Sequence, residues 1–295
     1  MRIRRGGLIA LTGLLFWMLP GLPGCNWSST RRSARDALSP EKAAQARVLG
    51  EQAQHAVDAG DLATAETTLS QLVVVAPASP EGHQRMGSVL LLQGRPDEAE
   101  ICFRKALELD PDYAAALIGL ARIDAIRGRY DSALKRLETA VEIEPHDASA
   151  HLALAQVLET VGRVDDALAA CFRALEADPF LAEANRRIAI VQLARNEADQ
   201  ALARLDQTLE SSPGDAEALY LRGRAHLALH HVGPAVDDLR SASQKLPARP
   251  EVHLALAQAL EAARRPADAL QAVEAVLRLS PDDAEARTLS ERLRR

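Results

Sequence analysis

Seven prolines recur every 34 residues through most of the 295-residue chain, without an insertion or deletion between them. They are Pro77, Pro111, Pro145, Pro179, Pro213, Pro247 and Pro281. A fixed period of this size indicates stacked supersecondary units, and it is the length of a helix-turn-helix repeat. The spacing therefore predicts a helical solenoid, an architecture that usually supplies binding surfaces rather than reaction sites.

Small residues follow the same period as the prolines. An alanine precedes each proline by twelve residues, and the residue twelve positions earlier again is always alanine or glycine. Because small side chains let two helix backbones approach closely, these two columns predict where the two helices of a unit cross. An apolar residue eight positions before each proline is expected to pack into the next unit. That column consists of Leu69, Phe103, Leu137, Cys171, Leu205, Leu239 and Val273.

The turn between the two helices is marked by glycine in the first four units, where a left-handed residue ends the first helix without a Cβ penalty. Units five, six and seven have Asn196, His230 and Arg264 at this position. Helix-breaking residues, including Pro234 and Pro266, lie close by in the last two units. We expect the turns of units six and seven to differ locally from the others.

Unit two shows the repeat most clearly, with Gly-Arg-Pro-Asp-Glu-Ala at residues 94–99 and Phe-Arg-Lys-Ala-Leu-Glu-Leu-Asp-Pro at residues 103–111. These residues resemble the tetratricopeptide repeat family, and the resemblance covers about residues 46–283. It implies an all-α, right-handed superhelical solenoid of seven helix-turn-helix repeats over residues 41–283. Residues 284–295 are expected to form a C-terminal capping helix, which such an array needs for solubility.

The resemblance also implies that the first helix of each unit lines a concave, partner-binding groove. With units starting at residues 46, 80, 114, 148, 182, 216 and 250, the fifth, ninth and twelfth positions are expected to face inward. The candidate groove residues are Leu91, Ile118, Arg122, Arg186, Tyr220 and Arg224. Arginine and tyrosine commonly anchor interfaces, and guanidinium groups suit carboxylates, so we predict a partner segment with acidic character. The alternative is that these side chains are solvated or paired within the chain.

The first 25 residues suggest export. A basic start with Arg2, Arg4 and Arg5 precedes an apolar run at residues 8–19, which is too short for a transmembrane helix but suits a secretory signal. Residues 22–25, Leu-Pro-Gly-Cys, resemble the lipobox of bacterial lipoproteins. The resemblance implies a signal peptide at residues 1–24, a lipid on Cys25 and a polar tether over residues 25–40. It favours an outer-membrane lipoprotein facing the periplasm, with an uncleaved inner-membrane signal anchor or a cytosolic chain as alternatives.

The rest of the sequence offers little for catalysis or metal binding. We predict no enzyme activity, no cofactor and no metal, since no nucleophile motif, phosphate loop or paired-carboxylate arrangement occurs. The histidine group of His226, His230 and His231 is interpreted as a polar turn. A packing role is expected for His83, His151 and His253, and Cys102 and Cys171 are expected to be buried apolar residues.

Charge and architecture together predict a function. The net charge of −6 at pH 7, with both signs scattered, argues against nucleic acid as a partner. We expect a noncatalytic protein–protein interaction scaffold, anchored by lipid in the bacterial cell envelope. The alternatives are a regulator or recruiter of an envelope enzyme, such as a peptidoglycan hydrolase, and, less favoured, a catalytic or metal-binding protein. Self-association through the terminal units also stays open.

Overall fold

A computed structural model describes residues 38–294, and within that range the chain forms fifteen α-helices and no strand. In sequence order they are α1 Pro40–Asp58, α2 Leu62–Val75, α3 Pro80–Leu92, α4 Pro96–Leu109, α5 Ala114–Ile126, α6 Tyr130–Ile143, α7 Ala148–Thr160, α8 Val164–Ala177, α9 Ala182–Ala194, α10 Ala198–Ser211, α11 Ala216–Ala228, α12 Val232–Lys245, α13 Pro250–Ala262, α14 Pro266–Leu279 and α15 Ala284–Leu293. The predicted all-α repeat solenoid is confirmed. The predicted signal peptide, Cys25 and nearly all of the tether lie outside the described residues.

Helix ends follow the local sequence signals. The hydroxyl of Ser39 accepts a hydrogen bond from the backbone N–H of Lys42 at 3.3 Å, and Pro40 is the first residue of α1. Proline suits this position because its missing N–H would have no partner inside the helix. Each second helix ends two residues before one of the periodic prolines, as α4 does before Pro111. The proline then prevents the helix from continuing.

Close packing at the two small columns is confirmed. The alanines of the second helices are buried, and so are all seven apolar side chains of the next column. Phe103 illustrates the fit: its fully buried ring lies against Gly87 of its own unit and Gly119 of the next. A Cβ atom at Gly119 would stand only 2.4 Å from that ring. The aromatic side chain therefore fills the junction between units two and three.

The turns of units six and seven have the same backbone conformation as the others, so the expected local difference is wrong. The φ angles of Asn196, His230 and Arg264 are 61°, 59° and 56°, beside 71° to 81° for the four turn glycines. The same hydrogen bond closes the turns as well: the N–H of His231 donates to the carbonyl of His226 at 2.8 Å. Helix termination and packing of the second helix impose the left-handed residue whatever its side chain.

Successive helices pack on one another, and each first helix also contacts the first helix of the next unit along much of the array. In this way α3, α5 and α7 form a continuous face, and the cavities described below open on it. Among the fifteen described helices, none has the length and apolar character needed to cross a bilayer.

Candidate partner-binding groove

The face of α3, α5 and α7 carries two adjoining cavities. The first has a volume of about 350 Å³ and is walled mainly by residues of α3 and α5. The second, of about 310 Å³, lies between α5 and α7. Arg122 and Ile126 of α5 line both cavities and so stand between them. We call these two cavities and their shared wall the Arg122 groove.

Most of the Arg122 groove is apolar. Leu91 and Ile118, both expected at the groove, line the first cavity together with the ring of Phe103. Leu92 and Ile126 were not among the sequence candidates, yet their side chains are 63% and 67% exposed at the groove. Large exposed apolar side chains that adjoin one another are typical of an interaction surface.

The sequence contains a pattern that could have identified Leu92 and Ile126 as groove residues. Both occupy the thirteenth position of a unit, the last residue of the first helix, where the next four units have Thr160, Ala194, Ala228 and Ala262. Among units two to seven, only units two and three have a large apolar residue at this position, and these residues line the Arg122 groove. The thirteenth position belongs in any list of groove positions for this chain.

Arg122 is exposed at the centre of this apolar surface. The arginines near it, Arg127, Arg129 and Arg136, all form ion pairs with carboxylates of the chain. Within residues 38–294, by contrast, the Arg122 side chain has no hydrogen-bond or ion-pair partner. Its five N–H donors are therefore available to a carboxylate from outside the described chain.

The structure places two other candidates in internal contacts. The Arg186 guanidinium pairs with Glu183 on its own helix and with Asp215 at the start of α11. Tyr220 is only 8% exposed, and its ring lies 5.7 Å from the Arg224 guanidinium carbon and 5.8 Å from that of Arg249. Arg186 is thus already neutralised, and the Tyr220 ring is largely covered.

Arg224 stays exposed beside Tyr220. Contact with an aromatic ring is compatible with further hydrogen bonds from a guanidinium, which carries five N–H donors. Arg224 lies at the ninth position of unit six, the position that Arg122 occupies in unit three. The structure does not bring the two arginines together, because two whole units separate them.

Histidines at one repeated position have a structural role in the unit junctions. The Nε2 atoms of His83, His151 and His253 lie 3.1, 2.9 and 3.0 Å from the carbonyl oxygens of Pro77, Pro145 and Pro247. Each imidazole thereby joins a first helix to the linker before it. Sequence reasoning placed these rings in the packing but missed the hydrogen bond.

The two cysteines of the described chain are not activated nucleophiles. Burial raises the pKa of the Cys171 thiol to about 12 and also raises that of Cys102, which disfavours the nucleophilic thiolate in both. Over residues 38–294, no three side chains of His, Cys, Asp or Glu come together as a metal cluster.

Family models match almost the whole repeat region. Residues 47–178 match the Cilia and flagella-associated protein 70 middle TPR-like domain, and residues 186–233 and 234–293 each match a tetratricopeptide repeat model. The chain is therefore a tetratricopeptide repeat protein, as its period and its helix pairs indicate.

One curated relative shares a short segment with the chain. Over 70 residues the chain is 44% identical to Cellulose synthase operon protein C of Xanthomonas axonopodis pv. citri (strain 306). That segment is 24% of this chain and 5% of the relative, so the chain matches a small part of the relative's length.

Solved structures show the same fold at low sequence identity. A chain of the APC/C hetero-tetramer Cut9-Hcn1 aligns with a TM-score of 0.66 and 20% identity over 79% of this chain and 48% of that one. PilF of Pseudomonas aeruginosa aligns with a TM-score of 0.61 and 18% identity over 72% and 96%. PilW, a type IV pilus biogenesis factor, aligns with a TM-score of 0.61 and 19% identity over 71% and 97%.

Proposed function

We propose that this protein is a noncatalytic scaffold that binds a segment of a partner protein in the Arg122 groove. The observation that carries the proposal is the Arg122 guanidinium, which lies between two apolar cavities and has no ion-pair partner among residues 38–294, whereas the neighbouring arginines are paired. A partner segment would bury apolar side chains in both cavities and bring a hydrogen-bonding group to Arg122.

The groove favours a partner with an acidic side chain. A carboxylate matches the planar fork of a guanidinium and accepts two charge-assisted hydrogen bonds from it. Apolar residues such as Leu92 and Ile126 would surround that ion pair and, once covered, keep water from it. We therefore infer a segment with one Asp or Glu flanked by apolar residues. Such a segment suits the groove better than a polyacidic one, because Arg122 is the only cation among the described residues that line the groove.

Site-specific cross-linking in intact cells tests the groove. A photo-cross-linking amino acid at Ile126 is expected to trap a partner, whereas the same amino acid at Arg173 on α8 is not. Charge reversal in Arg122→Glu should abolish the Ile126 cross-link and weaken binding of the purified partner segment at least about tenfold. The matched control is Arg173→Glu, since the Arg173 side chain is 67% exposed on a second helix. The proposal would be contradicted by equal losses of affinity in the two variants, or by unchanged cross-linking and affinity in Arg122→Glu.

We further propose that the scaffold is held in the bacterial envelope by a lipid on Cys25. Support comes from the basic start, the short apolar run and the Leu-Pro-Gly-Cys motif of residues 1–25. The fold shared with PilW, a type IV pilus biogenesis factor, is compatible with such a location. Asn26 follows the cysteine, and the resemblance to bacterial lipoproteins favours the outer membrane for asparagine at this position.

Mass measurement of the mature N-terminus tests the anchor. The expected product begins at Cys25 and carries acyl chains, and Cys25→Ser should release the protein from the membrane fraction. A chain that retains residues 1–24 in the membrane would indicate the signal-anchor alternative instead. The groove and the anchor are separate proposals, because Arg122→Glu should leave fractionation unchanged.

A further inference from the structure

Two imidazole rings come together across the turn of unit six, with their planes tilted by 54°. His226 belongs to the last turn of α11, and His231 is the residue that caps the start of α12. Their Nδ1 atoms are 3.4 Å apart, and the ring centroids are 5.6 Å apart. The left-handed residue His230 and the hydrogen bond from the His231 N–H to the His226 carbonyl hold the two backbones in this relation.

The turn brings the same two positions together in unit three. There they are Asp124 and Arg129, which form an ion pair at 2.6 Å. Unit six has replaced two complementary charges with two groups of the same kind. One hydrogen bond between the Nδ1 atoms is the most that two neutral imidazoles can form here, so the pair is a weaker internal contact than the ion pair it replaces.

The spacing of the two nitrogens suits a shared metal ion. Zinc binds imidazole nitrogen at about 2.0–2.1 Å, and a tetrahedral angle then places two ligand nitrogens about 3.4 Å apart. The two Nδ1 atoms already have this separation. A metal ion could therefore enter between the rings without moving either helix.

His226 has a buried carboxylate near its outer nitrogen. Its Nε2 atom lies 4.0 Å from a carboxylate oxygen of the buried Asp238. Two hydrogen bonds of 2.7 and 2.8 Å from Arg222 hold that carboxylate in place. A carboxylate on this side favours the tautomer with its proton on Nε2, which leaves the Nδ1 lone pair directed at His231.

We propose that His226 and His231 bind a divalent transition-metal ion, with Zn²⁺ as the reference ion, through their two Nδ1 atoms. Two protein ligands leave coordination positions open to water or to a group from a partner. The site departs from the expectation that the chain holds no metal, and it is independent of the Arg122 groove. Its ion would link the end of α11 to the start of α12.

Titration of the purified chain with zinc chloride tests the site. After chelator treatment, calorimetry is expected to show one equivalent bound in the micromolar range, and the imidazole NMR signals of His226 and His231 should shift together. Substituting the exposed ring in His231→Ala should weaken binding at least about tenfold. The matched control is His146→Ala, because His146 is an exposed linker histidine outside the pair.

Two results would overturn the metal site. One is the absence of saturable binding by the wild-type chain up to about 1 mM zinc. The other is unchanged affinity in His231→Ala. Since His231 is exposed, this variant is expected to fold, and its circular dichroism melting curve without metal verifies that. Zinc should raise the melting temperature of the wild type and not that of His231→Ala, because only a bound ion stabilises the folded state.

Discussion

The ring of Phe103 occupies the space that a side chain at Gly119 would need. It belongs to α4, whereas Gly119 lies on α5 of the next unit, so one contact locks two units together. Close-packed interiors have little room for an extra methyl group without moving a neighbour. At this junction the neighbour is a fully buried aromatic ring, which cannot swing into solvent.

We expect Gly119→Ala to lower the free energy of unfolding by about 1–3 kcal/mol through overpacking against Phe103. Urea denaturation of the wild type and the variant measures the change. The control is Gly82→Ala in the first turn of α3, where a new Cβ atom would make only ordinary van der Waals contacts, the nearest at 3.6 Å from Cγ of Leu72. That variant should be neutral or slightly stabilising. Equal effects of the two substitutions would show that loss of glycine, rather than the clash, sets the cost.

The left-handed residues His230 and Arg264 hold a conformation that glycine adopts without penalty. A residue with a Cβ atom loses about 1–2 kcal/mol there, part of which the higher chain entropy of glycine offsets. We expect His230→Gly and Arg264→Gly each to raise the free energy of unfolding by about 0.5–1 kcal/mol. Midpoints of urea denaturation measure the gain. In the reverse direction, Gly128→Ala should lower the free energy of unfolding by a similar amount. An increase in Gly128→Ala would contradict the left-handed conformation of this turn residue.

At the scale of elements, the helix pairs could be predicted from the sequence because they depend on fixed separations along the chain. The small columns, the periodic prolines and the turn residues all act within one unit or between adjacent units. The ion pair of Arg186 could not be predicted in this way. Its partner Asp215 lies 29 residues further along the chain, and a long arginine side chain can adopt many rotamers. Likewise, Tyr220 is covered by Arg249, a residue of the following linker.

The buried Asp124 joins the end of α5 to α6, since it accepts hydrogen bonds from Ser132 and Arg136 and pairs with Arg129. Burial alone would raise the pKa of this carboxyl, but the hydrogen bonds and the two arginines outweigh burial and hold the pKa below its ordinary value. A depressed pKa contributes stability that is present above the unfolded-state value, near 4, and is lost as pH falls through the folded-state value.

We therefore expect Asp124→Asn to lower the free energy of unfolding by about 1–2 kcal/mol at pH 7, because the arginines lose their charged partner. The difference from the wild type should shrink as the pH falls below about 4, because the unfolded wild-type carboxyl is protonated there and the folded one at a still lower pH. Denaturation curves over a pH series follow this change. The same substitution at the exposed ion pair of Asp97 should have little effect at any pH. A pH-independent loss in Asp124→Asn would rule out the charge as its cause.

At the scale of the whole molecule, the described helices contact mainly their neighbours in sequence and the helices two places away. No central core unites these helices of residues 40–293, so stability is close to a sum of unit and interface contributions. A destabilising substitution at one end is therefore expected to loosen only the helices near it. The Arg122 groove and the histidine pair of unit six lie in different units, which allows a ligand at one site to leave the other unchanged.

Leu289 tests this independence, since its buried side chain fixes α15 on the last unit. We expect Leu289→Ala to cost about 2–3 kcal/mol locally, at the low end for a buried leucine because a terminal helix can relax. Hydrogen exchange should accelerate in α14 and α15 and stay at the wild-type rate in α1 to α4. The mirror control is Leu69→Ala in α2, which should accelerate exchange at the opposite end. Uniform acceleration through all fifteen helices in either variant would show that the array unfolds as one cooperative unit, against the additive behaviour that its neighbour-only contacts predict.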